Sequence, residues 1–101
     1  MNESVLELKI KKAAKDRGIL SFKFVSPGQK GVPDRLFITK GGYQFYMELK
    51  STNGKLSDLQ DTVIKTMISY GADVSIVRNL EDGIKILEER KDLHGSKLII
   101  N

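Results

Sequence analysis

Gly31-Val32-Pro33-Asp34-Arg35-Leu36-Phe37-Ile38-Thr39-Lys40-Gly41-Gly42-Tyr43-Gln44-Phe45-Tyr46-Met47-Glu48-Leu49-Lys50 is the stretch on which the fold turns. Pro33 fixes its own φ and has no N–H to give a ladder, so it starts a strand rather than sitting inside one. Val32, placed before a proline, is pushed towards an extended conformation. An apolar run, Leu36-Phe37-Ile38, follows Asp34. Lys40-Gly41-Gly42 reads as a turn. A second run from Tyr43 ends in Glu48, Leu49 and Lys50. Folded as a hairpin, the end of the second strand returns beside the start of the first. Side chains alternate along a strand, so Phe45 and Met47 share one face while Tyr46, Glu48 and Lys50 share the other. Asp34 can then lie next to Glu48 and Lys50.

Taken singly these residues have plainer readings. An aspartate after a proline is commonly a turn or cap residue, and a Glu–Lys pair on a strand is commonly a solvated edge. The apolar neighbours argue for a central strand and a buried pair. Two carboxylates and a lysine at one end of a hairpin make a site for a divalent cation with a fixed positive charge beside it. Carboxylates are hard oxygen ligands suited to Mg²⁺ or Mn²⁺, one ion or two. Such ions polarise phosphoryl groups and generate nucleophilic hydroxide. A lysine there positions the attacking water or offsets charge in the transition state. The chemistry indicated is phosphodiester hydrolysis.

Pro33-Asp34, thirteen residues, then Glu48-Leu49-Lys50 resembles the PD-(D/E)xK nuclease superfamily. The fuller pattern is Lys23-Phe24-Val25-Ser26-Pro27-Gly28, Gly31-Val32-Pro33-Asp34-Arg35-Leu36, Met47-Glu48-Leu49-Lys50 and Gln60. It resembles the VRR-NUC (virus-type replication-repair nuclease) family in particular, from about Glu3 to Val77. The resemblance implies a restriction-endonuclease-like α/β core: a central mixed β-sheet of four to five strands flanked by helices. It implies metal ligation by Asp34 and Glu48, with the Leu49 carbonyl and a carboxylate of the first helix. It also implies that Lys50 activates water and that Gln60 supports it.

Outward from the hairpin, residues 3–17 read as a helix, with Leu6, Ile10, Ala13 and Ala14 at helical spacing and Gly18 as its stop. Glu3 and Glu7 lie one turn apart at the edge of that apolar stripe. They are either acids favoured by the helix dipole or ligands reaching over the sheet, and the family's spacing suits Glu7 better than Glu3. Residues 19–25 read as a strand in which Leu20, Phe22 and Phe24 alternate with Ser21, Lys23 and Val25. The loop holding Ser26, Lys30 and Gly31 is either a connector or a phosphate-contacting segment. Arg35 is a further candidate phosphate contact, and so is Lys55, which otherwise meets only solvent.

Residues 57–70 read as a second helix with Leu59, Val63, Met67 and Tyr70 as its stripe. Ser57-Asp58-Leu59-Gln60 fits a capping box, which gives Gln60 a structural use beside the catalytic one. Residues 73–78 read as a strand, and a strand–helix–strand unit implies a parallel pair. Asn79 caps a last helix carrying Leu80, Ile84 and Leu87. His94 falls in a polar turn and reads as solvated. Leu98-Ile99-Ile100 is a terminal strand or an interface tail.

The chain has 101 residues, which suits one domain spanning 1–101. It has no cysteine, so disulfides, thiolate zinc sites and cysteine nucleophiles are excluded. No apolar run approaches the ~20 residues of a membrane span, and the N-terminus does not read as a signal peptide. These features suit a cytoplasmic protein without a membrane partner, bacterial or phage-encoded by the family resemblance. A formal net charge of +4 fits a nucleic-acid partner, though it is also an ordinary solubilising charge.

The expectation is a Mg²⁺- or Mn²⁺-dependent, structure-selective DNA endonuclease acting on branched DNA such as Holliday junctions or flaps. A chain this short has little surface for a branched substrate, so a homodimer is expected. The alternative is a DNA-binding module of nuclease fold without activity. A hydrolase of small phosphates would be a third class, but no P-loop and no histidine pair supports it.

Overall fold

The structure, a computed structural model, describes residues 1–96. The expectation for Leu98-Ile99-Ile100 lies outside them. The chain runs α1 (Glu3–Asp16), β1 (Leu20–Lys23), β2 (Arg35–Ile38), β3 (Gln44–Leu49), α2 (Asp58–Ser69), β4 (Val74–Val77) and α3 (Leu80–Arg90). The four strands form one mixed sheet in the order β1-β2-β3-β4. β1, β2 and β3 are antiparallel neighbours, and β3 pairs parallel with β4. The expected hairpin is present, with Arg35 opposite Met47 and Phe37 opposite Phe45.

Alternation sorts the sheet into two faces. Phe37, Phe45, Met47 and Leu49 are buried together with Leu6, Ile10, Ala13 and Ala14 of α1 and Leu87 of α3. The Phe37 and Phe45 rings stack with centroids 5.1 Å apart. α1 and α3 cross over this face, where Gly83 lets α3 come down on Ile10: a Cβ at that glycine would stand 2.1 Å from the Ile10 Cδ1. The opposite face carries Leu36, Tyr46 and Glu48, and α2 covers it only beside β4.

The alternation expected on β1 is present but its apolar side is left open, and the stripe expected on α2 is not the buried one. On β1, Leu20 and Phe22 are 58% and 50% exposed, while Ser21 and Lys23 lie on the α1 side opposite Phe37 and Arg35. β1 is an edge strand, and α2 does not reach across to cover its outer residues. On α2 the expected stripe fails: Tyr70 is 88% exposed, Leu59 is also exposed, and Ile64 is the buried residue. The helix faces the sheet along Gln60 and Ile64, a turn apart. Leu59 and Val63 instead meet the loop at Gly31, whose φ of +91° and close approach suit glycine.

Candidate active site

Asp34 directly precedes β2, Glu48 lies near the end of β3, and Lys50 follows that strand. The antiparallel register sets the start of one strand against the end of the other. Asp34 Oδ2 accepts a hydrogen bond from the Leu49 N–H at 2.8 Å. This fixes the carboxylate one residue from Glu48. Lys50 Nζ lies 3.5 Å from Glu48 Oε2. Gln60, in the first turn of α2, donates from Nε2 to the same Oε2 at 3.2 Å.

Glu48 is 2% exposed. Burial pushes its carboxyl up to about 7; the nearby Asp34 charge adds to the rise and Lys50 opposes it. Oε2 has both partners just named. Oε1 is buried, with no hydrogen-bond partner among the described residues. A buried acceptor without a partner is costly. One beside a second carboxylate is a position that a hard cation satisfies. The donor set therefore fits a divalent metal on this observation.

A phage protein, "Putative nuclease p44" of Acyrthosiphon pisum secondary endosymbiont phage 1, is 31% identical over 87 residues, spanning 86% of this chain and 92% of that relative. A solved structure described as a VRR_NUC domain superposes with a TM-score of 0.79 at 26% identity, covering 87% of this chain and 96% of the other. The chain belongs to the VRR-NUC family. No protein-family model matches it. The four-strand mixed sheet flanked by three helices is the VRR-NUC fold.

In this VRR-NUC domain the candidate residues divide between the faces of the sheet. Asp34, Glu48, Lys50 and Gln60 come together on the α2 side. Glu7, expected as a third ligand, does not join them. Its Oε2 accepts from Arg35 Nη1 at 3.0 Å, with Lys23 Nζ at 3.8 Å. Arg35 follows Asp34 and so points to the α1 face, taking Glu7 with it and away from the carboxylate pair. Among the described residues no three Asp, Glu or His side chains form a cation cluster. Glu3 lies nearer the end of the strand: its Oε1 is 3.4 Å from the Ser51 N–H, next to Lys50.

Arg35, expected as a phosphate contact, is 6% exposed, with its Nε donating to Ser21 Oγ at 2.8 Å. It is an internal brace between sheet and helix, not a free cation. Lys30 and Lys55 are exposed, and Ser26 is half-buried in a turn closed by the Gln29 N–H to its carbonyl. His94 is exposed, bridging Gly41 and Gly42 through its backbone.

Gln60 has both of its expected uses at once. Its Oε1 accepts from the Ser57 N–H at 3.0 Å and its own N–H donates to Ser57 Oγ, while Nε2 reaches Glu48. Sequence reasoning missed Arg78. Its guanidinium donates to the carbonyls of Ser51 and Gly54, holding the loop that follows Lys50. A signal existed: parallel pairing of β3 and β4 puts the residue after Val77 beside the residue after Leu49, as the Lys50 N–H to Val77 carbonyl bond shows.

Proposed function

We propose that this domain, 1–101, is a Mg²⁺- or Mn²⁺-dependent DNA endonuclease that hydrolyses phosphodiester bonds, selectively in branched DNA. The observation that carries the reading is the buried, unpartnered Oε1 of Glu48 beside Asp34 and Lys50. Asp34 and Glu48 would hold one or two ions with the Leu49 carbonyl, and Glu3, held near the end of β3 at the Ser51 N–H, is the helix carboxylate better placed to approach them. Glu7 is less suited, because Arg35 already occupies it. The bound ion supplies Lewis acidity at the scissile phosphoryl group and a nucleophile at neutral pH.

The chain's own groups do the rest. Lys50 sits within reach of Glu48 and orients the attacking water while offsetting negative charge in the transition state. Gln60 holds the Glu48 carboxylate in place through Nε2. The Leu49 N–H holds that of Asp34. Lys30, Lys55 and Ser26 are candidate phosphate contacts. A homodimer would set two such sites on one branched substrate. Intracellular action on bacterial or phage DNA suits this reading.

The test is cleavage of a labelled panel: single strand, duplex, flap, splayed arm and four-way junction, with Mg²⁺, Mn²⁺ or EDTA. Wild type should cut a branched substrate only with metal. Lys50→Ala should lose ~10²-fold or more of that rate. Wild type that binds DNA and cuts nothing with either metal would instead establish the inactive DNA-binding module.

A further inference from the structure

One cavity lies away from the carboxylates. It lies between α1 and the edge strand β1, with a volume of about 410 Å³, lined by Leu8, Lys11, Lys12, Lys15, Leu20 and Ser21 among others. Leu8 and Leu20 are 66% and 58% exposed there, so the floor is apolar and open. The rim is basic. Lys12 is paired with Asp16, whereas among the described residues neither Lys11 nor Lys15 is in an ion pair. Lys11 and Lys15 follow Glu7 at four-residue steps on one side of α1, each step advancing ~6 Å along the helix axis. At the other end of this row, Lys23 of β1 stands beside Glu7 and opposite Arg35, the residue after Asp34. The row of lysines therefore runs from the site's end of the sheet up the α1–β1 edge.

We infer that this groove is a binding site for a single-stranded nucleic-acid segment, taking phosphates on Lys23, Lys11 and Lys15 and laying bases on Leu8 and Leu20. The inference rests on the nuclease reading, to which it adds a second contact away from the reacting bond. A second copy of the chain suits the groove less well, since it would bring the same lysines towards each other. A polyanion meets them with opposite charge. Single strands expose base faces that an apolar floor can cover, which a duplex does not, and their phosphates supply the salt-dependent attraction.

The experiment measures fluorescence anisotropy of the full chain with Ca²⁺ on a labelled oligothymidylate and on a blunt duplex, across a salt series. Lys11→Ala/Lys15→Ala is compared with a charge-matched control, Lys9→Ala/Lys85→Ala. The groove variant should bind the single strand about ten-fold more weakly, with the slope of log affinity against log salt reduced by roughly 1.4. Its duplex binding should match that of the control variant. Equal loss on both DNAs overturns the single-strand site, and so does no loss on either. Wild type that binds neither DNA but still binds a labelled four-way junction overturns the single-strand site alone, whereas wild type that binds none of the three overturns the nuclease reading as well.

Discussion

At Glu48 the protein keeps a carboxylate where burial opposes its ionisation, and the consequence is measurable without any cleavage assay. Its carboxyl is raised from 4.5 to about 7 in the folded chain. Between those values the folded, metal-free protein holds a proton that the unfolded chain has released. The contribution of this group to stability is therefore greatest below about 4.5 and is lost as pH rises through about 7. Glu48→Gln removes this dependence. In EDTA at pH 8 the variant should resist urea better than wild type by up to ~3 kcal/mol, and at pH 4.5 the two should converge. Equal stabilities at pH 8 would show that the carboxylate carries no such burden. Arg35 shows the opposite case at the same scale. An arginine beside Pro33-Asp34 reads from sequence as a phosphate contact. Its burial was not legible, because its partner Glu7 lies 28 residues away on another element.

Among the elements, the hairpin was the most legible, since a short turn and strand alternation together set its register. α1 was legible for the same kind of reason: Leu6, Ile10, Ala13 and Ala14 fall on one stripe at helical spacing, and that stripe is the one buried. α2 was not, because Leu59, Val63, Met67 and Tyr70 make a consistent stripe that the sheet does not use. A polar contact, Gln60 to Glu48, sits on the face that packs instead. Similarly, Glu3 and Glu7 look equivalent on a helical wheel, the family's spacing favours Glu7, and the brace to Arg35 is what draws Glu7 to the other face. The two uses of Gln60 can be separated by substitution. Ser57→Ala removes the cap oxygen and should cost ~1 kcal/mol of stability while leaving cleavage near wild type. Gln60→Glu keeps an acceptor for the Ser57 N–H but turns a second carboxylate towards Glu48. It should lower cleavage by ~10–100-fold with the helix intact by circular dichroism. Retained activity in Gln60→Glu would reduce Gln60 to a capping residue.

For the whole molecule, two helices on one face and one on the other leave the sheet unequally covered. The better-covered face depends on close approach of α1 and α3 at Gly83. Gly83→Ala should cost ~1–3 kcal/mol by forcing Ile10 aside, despite alanine's better helix propensity. A thermal midpoint at or above wild type would mean that the crossing is looser than its geometry. At the opposite end from the carboxylates, Arg90 grips Asp73 through two hydrogen bonds and Tyr43 donates to the same aspartate. That cluster ties α3 and the chain ahead of β4 to the start of β3. The site end has its own tie in Arg35 and Glu7, and this one bears on descent. Arg35 is almost wholly enclosed, so a lineage that loses Glu7 strands a cation, at a cost of ~3–5 kcal/mol. One that loses Arg35 leaves Glu7 with only the longer contact to Lys23. The two positions should therefore be inherited as one character, replaced together or kept, which an alignment of relatives checks.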